Sequence, residues 1–335
     1  MQERPHGVRL TWSGKAEFRS APGAELTQAS AGDRRSLLVH GDNLRALAAL
    51  GARRTKVALV YLDPPFFTGR EHLEVARSRG PNGIETPLEK AFDDRWASFE
   101  QYLEALGARI TLARELLIPE GSLVLHVDPK TSHYVKVLCD EIFGPRAFAS
   151  EIVWRYRRWP AKTRNFQRVH DVLLRYVRDP EKTPRFHQLY EPLAASTEKT
   201  WGTGRQRAVV DGTGRRRRSS VTEEATPGTP LGDVWEISIV APVARERTGY
   251  PTQKPEALLT RLVEACTEPG DSVLDPYVGS GTTLAVCARL DRAAIGIDEN
   301  RRAIEIARER LVALGRVPQQ ERVAPSAPRR SARVA

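Results

Sequence analysis

Val57-Ala58-Leu59-Val60-Tyr61-Leu62-Asp63-Pro64-Pro65-Phe66 decides the fold. Six consecutive apolar or aromatic residues, with no charge among them, read as a strand buried on both faces of a parallel sheet. The two prolines stop it: neither donates to the ladder, and each pushes its predecessor out of helical geometry. Asp63 and Pro64 are therefore expected to stand extended at the carboxyl end of the strand, the edge where open α/β sheets bind ligands. There the Asp63 carboxylate and the Pro64 carbonyl offer two acceptors to a planar amino group, and Phe66 offers an aromatic face. Such a corner suits a base taken out of its helix. It also suits a plain strand end in which Asp63 caps its own turn.

Outward from this stretch, strand and helix patterns alternate. Leu37-Leu38-Val39-His40 is a compact strand, closed by Gly41-Asp42-Asn43 and followed by Leu44, Leu47 and Leu50 at helical spacing; on this pattern alone Asp42 reads as a helix cap. Phe67 to Arg95, dense in Gly, Pro and charge, reads as a lid or binding loop. Helical periodicity runs from Phe99 to Leu117 and stops at Pro119-Glu120-Gly121. Ser122 to Val127 is a second buried strand, Tyr134 to Phe143 a helix, and Asp171 to Val177 a further strand. This alternation predicts an α/β fold, a mostly parallel sheet with helices on both faces. Residues 1–35 read as a peripheral arm holding one short strand, Val8 to Trp12.

With 335 residues and a 40% hydrophobic fraction the chain can bury one large α/β core and carry an insertion. The formal net charge is +10 and is unevenly spread: 19 Lys/Arg stand against 12 Asp/Glu from Glu151 to Thr248, and 5 against 1 from Arg316 to Ala335. A near-neutral body with a basic insert and a basic tail suits a polyanion partner. Within the insert, Trp154, Tyr156, Trp159 and Phe166 interleave with Arg155, Arg157, Arg158, Lys162, Arg164 and Arg168, so cations can meet phosphates and rings can meet bases. The same pattern fits a sheet edge whose rings pack inward. Thr197 to Pro230, with Arg215-Arg216-Arg217-Arg218, reads as a flexible cationic loop that contacts DNA. The tail from Pro318 reads as disordered. Cys139, Cys266 and Cys287 form no CxxC pair, which points away from zinc and from disulfides. No apolar run reaches membrane-spanning length, and a cytoplasmic protein is expected.

A second ligand-binding stretch lies in the carboxyl-terminal third. After Tyr250-Pro251-Thr252-Gln253-Lys254-Pro255 and a helix begun by Pro255, the run Asp271-Ser272-Val273-Leu274-Asp275-Pro276-Tyr277-Val278-Gly279-Ser280-Gly281-Thr282-Thr283 reads as strand, glycine loop and helix. It lacks the Gly-Lys-Ser/Thr ending of a nucleoside triphosphate loop. About twenty residues on, the strand Ala293 to Ile297 ends at Asp298, where an acidic side chain can accept from both hydroxyls of a ribose.

Taken together, Gly41-Asp42-Asn43, Asp63-Pro64-Pro65-Phe66, Tyr250 to Pro255 and Leu274 to Thr283, in this order, resemble the S-adenosylmethionine-dependent DNA amino-methyltransferases of the N6-adenine/N4-cytosine family, in the permuted β-type arrangement with the catalytic motif first. The resemblance covers most of residues 36 to 314. It implies a seven-stranded, mostly parallel Rossmann-like methyltransferase sheet with an inserted target-recognition region: a catalytic half at 36–150, the insert at 151–247, a donor-binding half at 248–315 and a basic tail at 316–335. By resemblance Asp63, Pro64, Pro65 and Phe66 are catalytic. Asp275, Gly279, Gly281 and Thr282 cradle the methionine part of the donor, with Tyr277 and Ser280 in the same loop. Asp298 takes the ribose hydroxyls, Asp42 beside Asn43 takes the adenine amino group, and Lys254 with Pro255 completes that pocket. Duplex DNA is the implied partner, contacted by Arg155, Arg157, Arg158, Lys162, Arg164 and Arg215 to Arg218; a homodimer and a cognate restriction enzyme are candidate partners. The chain departs from the commonest family pattern at Phe66, where Tyr is usual, and at Tyr277, where Phe is usual. Asp at the first catalytic position goes more often with adenine than with cytosine, and no Pro-Cys pair marks ring-carbon methylation. N6-adenine methylation is therefore expected, with N4-cytosine methylation as the alternative and an RNA methyltransferase or a non-catalytic DNA-binding regulator as remote ones.

Overall fold

A computed structural model describes residues 8–15, 17–18, 24–73, 90–158, 162, 164–201, 204–225 and 227–324. Two strands, β1 (Leu26–Ser30) and β2 (Asp33–His40), lead into helix α1 (Asn43–Ala52), and the stretch quoted above forms β3 (Val57–Leu62). A short hairpin, β4 (Glu71–Leu73) with β5 (Lys90–Asp93), precedes α2 (Phe99–Leu116), β6 (Leu117–Val127), α3 (Ser132–Phe143), β7 (Phe148–Arg155) and β8 (His170–Val177). Residues 187–233 form a separate compact unit of β9 (Tyr190–Glu191), α4 (Ala195–Trp201), β10 (Gly204–Val210), β11 (Arg216–Ala225) and β12 (Thr229–Pro230). The main body resumes with β13 (Val234–Glu236), α5 (Glu256–Cys266), β14 (Ser272–Asp275), α6 (Thr282–Arg289), β15 (Ala293–Asp298), α7 (Arg301–Ala313) and β16 (Pro318–Val323).

The main sheet has ten strands in the order β1-β16-β2-β15-β14-β3-β6-β8-β7-β13. Its interior run β2-β15-β14-β3-β6-β8-β7 is the expected seven-stranded sheet, parallel except that β8 runs antiparallel to both neighbours. β3 lies near the middle and none of its residues is more than 2% exposed, as its unbroken apolar run requires. Leu47 and Leu50 of α1 and Leu106 and Ile110 of α2 join one buried cluster with Val60 and Leu62, while Leu258, Leu259, Leu262 and Val263 of α5 are buried outside it.

Three strands extend the seven, and two of them correct the sequence reading. Pro318–Val323, expected to be a disordered tail, is a strand parallel to β2 and antiparallel to β1. Its Glu321 is 6% exposed and pairs with Arg53, a partner that no local pattern reveals. The arm expected up to residue 35 already contains β1 and the start of β2, whereas Val8 to Trp12 is not a strand. Residues 325–335 lie outside the described residues.

The insert is also narrower than 151–247. Most of β7, all of β8, and β13 belong to the main sheet, so the separate unit shrinks to residues 187–233. Within it, the stretch read as a flexible loop is an antiparallel hairpin of β10 and β11. The turn is set by Asp211, whose Oδ1 accepts from Thr213 N at 2.9 Å, Thr213 Oγ1 at 2.6 Å and Arg215 N at 3.1 Å, with Gly214 at φ +80°. This unit carries 7 Lys/Arg against 6 Asp/Glu, so the basic surplus of the centre resides mainly in the flanking segments of the main body.

Candidate active site

Four neighbouring parallel strands, β2, β15, β14 and β3, each end in an acidic position: Asp42 just beyond β2, Asp298 on β15, Asp275 on β14 and Asp63 just beyond β3. Three of these carboxylates, Asp63, Asp275 and Asp298, line one cavity of about 860 Å³, together with Pro64, Pro65, Phe66, Asn43, Lys254, Tyr277, Gly279, Ser280 and Thr282. Asp42 does not line it. Its Oδ1 accepts from Arg45 N at 2.9 Å to cap α1, and its Oδ2 faces Arg109 at 3.4 Å. Asn43 lines the cavity instead, donating to Pro276 O at 3.0 Å.

At the catalytic corner, Asp63 Oδ2 is paired with the Lys254 ammonium, which also sits 5.2 Å from the centre of the Phe66 ring. Lys254, assigned by resemblance to the donor's adenine pocket, thus has its charge on the Asp63 carboxylate; its carbonyl reaches the glycine loop by accepting from Thr282 Oγ1 at 3.1 Å. Asp63 Oδ1 lies 3.7 Å from Nδ1 of His126, a fully buried histidine hydrogen-bonded to Tyr61 Oη at 2.8 Å. On its other side His126 Nε2 stands 3.4 Å from Asp171, which accepts from Tyr156 Oη at 3.1 Å. Burial disfavours the charge on Asp171, but the hydrogen bond and electrostatic interaction with His126, together with Lys254 and the Tyr156 hydroxyl, outweigh it and hold the carboxyl below its usual range. The His126 ring also packs under Phe66 at 5.4 Å and against Trp154 at 5.5 Å.

On the donor side the glycine loop folds around its own aspartates. Asp275 accepts from Tyr277 N at 3.0 Å and Thr283 Oγ1 at 2.6 Å, and Asp298 accepts from Gly279 N at 2.9 Å and Asn300 N at 2.8 Å. Burial is the main reason both carboxyls rise, Asp275 to about 7 and Asp298 to about 6. Gly281 turns at φ +71°, and a Cβ there would come within 2.8 Å of Ala307 Cα; a Cβ at Gly279, φ +45°, would come within 3.1 Å of Tyr250. The loop at Gly279 and Ser280 lines the cavity between the buried Asp275 and the partly buried Asp298. A ligand with a ribose and an ammonium-bearing amino acid end fits that donor set. Gly281 and Pro255 support this wall from behind, as turn and as cap of α5.

The expected DNA-contacting residues separate. Trp154 and Tyr156 are buried, so these two rings pack inward, and Arg155 is paired with Glu236. Arg158 lines the cavity, its guanidinium 5.3 Å from the Tyr156 ring. Arg157, Lys162, Arg164 and Arg215 are exposed, as is Phe166 at 97%. Trp159 and the side chains of Arg216, Arg217 and Arg218 lie outside the described residues. Sequence reasoning missed His126, Asp171 and Asp94. For the first two a signal existed, a polar residue inside or at the head of an apolar strand, because a buried polar group needs a partner. Asp94, one of five charges in Glu89-Lys90-Ala91-Phe92-Asp93-Asp94-Arg95, had none.

Among known proteins, residues 57–309 match the model of the DNA methylase family of N6/N4 methyltransferases. The type II methyltransferase M.HpaI of Haemophilus parainfluenzae is 30% identical over 274 residues, 82% of this chain and 73% of that protein. The DNA adenine methyltransferase YhdJ of Escherichia coli is 29% identical over 288 residues, 84% of each. Among solved structures, M1.HpyAVI in complex with SAM superposes with a TM-score of 0.52 at 18% identity, covering 82% of this chain and 98% of that one. The PvuII cytosine-N4-specific DNA methyltransferase gives 0.53 at 14%, covering 85% and 90%. At such identities the two structures speak for the fold.

Proposed function

The chain belongs to the N6/N4 DNA methylase family, S-adenosylmethionine-dependent DNA amino-methyltransferases, and from that premise we propose that it methylates N6 of adenine in duplex DNA after taking the base out of the helix. The observation that carries this reading is the single cavity holding both the Asp63-Pro64-Pro65-Phe66 corner and the glycine loop between Asp275 and Asp298. A base and a methyl donor bound there would meet across a few ångströms, and such positioning is the largest contribution available to a direct displacement.

When bound, S-adenosylmethionine supplies an electrophilic sulfonium methyl. The protein's own groups do the rest. Phe66, backed by His126, gives the base a flat face; the Tyr usual at this position would add a phenol that this chain lacks. Asp63 Oδ1 and the Pro64 carbonyl accept the two amino hydrogens and so aim the nitrogen lone pair into the cavity. Lys254 occupies the other Asp63 oxygen and fixes the carboxylate's rotation. After transfer the nitrogen carries a proton it must lose, and Asp63, already bonded to it, is placed to receive it. Asp298, Asp275 and the glycine loop hold the donor.

Adenine is favoured over cytosine by the Asp at the first catalytic position and by the likeness to an adenine methyltransferase; the family takes in both N6 and N4 methyltransferases, which makes N4-cytosine the alternative. Incubation with duplex DNA and donor, digestion to nucleosides and mass spectrometry should yield N6-methyladenine. N4-methylcytosine would overturn the base assignment, and neither product, with donor binding demonstrated, would overturn the reaction. Within this reading the protein works in the cytoplasm, on DNA reached by its exposed cations.

A further inference from the structure

We propose that Asp94 is a positioning residue for methyl transfer: its carboxylate fixes the turn that carries the Phe66 platform and ties that turn to the donor side of the cavity. This rests on the reading of Phe66 as the surface for the target base. Asp94 is 1% exposed, yet the groups facing it are donors of the catalytic corner. Oδ2 accepts from Phe66 N at 3.1 Å, Thr68 N at 2.8 Å and Thr68 Oγ1 at 2.6 Å, and Oδ1 accepts from Phe67 N at 2.8 Å and Trp96 Nε1 at 3.2 Å. Three successive backbone N–H groups turned onto one buried carboxylate form an anion nest closed by the protein's own side chain.

The turn needs this support. Phe67 stands at φ +56°, a left-handed conformation that costs a phenylalanine free energy and persists only where its surroundings over-determine it. Without the carboxylate, three backbone N–H groups would lose their acceptor and turn elsewhere, and Phe66 with them. Asp94 also continues directly from β5, and Asn300, beside the ribose-side Asp298, donates to Lys90 O at 2.9 Å and Ala91 O at 2.6 Å of that strand. The strand is thus a strap anchored at one end to the base platform and at the other to the donor pocket.

Asp94→Asn keeps shape and volume but replaces one oxygen by an amino group. If Oδ1 is replaced, Phe67 N and Trp96 Nε1 face a donor; if Oδ2, then Phe66 N and both Thr68 donors do. Either orientation pushes the turn open. In steady-state and single-turnover assays on duplex DNA, the transfer rate should fall by about 10²-fold, the effect of a misplacement of about 1 Å, while donor affinity by calorimetry stays near wild type. A general loss of structure would instead weaken donor binding and lower the melting temperature with it. Transfer within twofold of wild type (~0.4 kcal/mol) would overturn the proposal. Should Asp94→Asn not fold, Thr68→Val removes one bond to the carboxylate, with a 3.5 Å contact to His72, and places no donor against the remaining N–H groups; it should slow transfer about fivefold (~1 kcal/mol), and an unchanged rate would overturn the proposal. Wild-type protein that binds donor yet methylates no DNA would overturn the functional reading, and this inference with it; an active wild type matched by an equally active Asp94→Asn overturns the inference alone.

Discussion

The donor loop and the catalytic corner end adjacent strands, but they are held by partners at very different distances along the chain. Asp275 receives Tyr277 N and Thr283 Oγ1, two and eight residues away, and Gly279 N goes to Asp298, nineteen away. Asp63 instead is braced by Lys254, 191 residues away, and by His126, and the turn after it hangs from Asp94, 26 to 28 residues away. The first region is held largely by near neighbours, its own glycines and aspartates, with Lys254 O and Arg310 joining it at Thr282 from 28 residues away on either side. The second exists only once β3, β5, β6 and the segment before α5 have come together. A single change should therefore damage the two regions separately.

The largest separation is expected from Asp63→Ala. Transfer should drop by about 10³-fold or more, with the loss of the acceptor that aims and then deprotonates the amine, while donor affinity measured by calorimetry is retained. Lys254, 11% exposed, would lose its partner, and some loss of stability is expected as well. Undiminished turnover would refute the assignment, and loss of donor binding would show that the two regions are not independent.

Next in size is Gly281→Ala. The added Cβ meets backbone at Ala307 in a left-handed conformation, a cost of about 2–3 kcal/mol. Donor affinity should weaken by about one to two orders of magnitude, and the Asp63 corner should be untouched. Wild-type donor affinity would show that the loop tolerates displacement and is less rigid than its local bonding implies.

The smallest effect is a pH dependence arising on the donor side. Burial raises Asp275 to about 7 and Asp298 to about 6, above the range both would have in the unfolded chain. Between about pH 4 and these values the folded protein holds more protons than the unfolded one, so stability is greatest at the acid end of that window and declines as pH rises through it. Without donor, stability should decline from pH 5 to 7, and Asp275→Asn should flatten part of that slope. A wild-type profile in that variant would place the pH dependence elsewhere.

These contrasts follow how much of each region could be read beforehand. β3, β14, β15 and the helices α1 and α2 are legible because unbroken apolar runs and 3.6-residue periodicity state burial directly, and the donor loop because most of its bonding partners are near neighbours. Pro318–Val323 was misread because a polar segment becomes a strand only when an edge is there to pair with it, and here β2 and β1 supply both sides. The hairpin of residues 204–225 was misread for a related reason, since its turn bonds at Asp211 outweigh a composition poor in apolar residues. Asp42 reads correctly as a cap from its local pattern, while its role toward a donor came from resemblance alone.

By itself, then, the sequence determined the α/β class, the central buried strand and the presence of a proline corner and a glycine loop at strand ends, because these depend on local periodicity, on proline and on glycine. Only the tertiary structure decided which remote groups stand behind the catalytic corner: Lys254 on Asp63, His126 between Tyr61 and Asp171, and Asp94 under Phe66. Hydrogen bonds and ion pairs act over about 3 Å in space regardless of separation in sequence, and the sheet order that closes those gaps is a property of the whole chain.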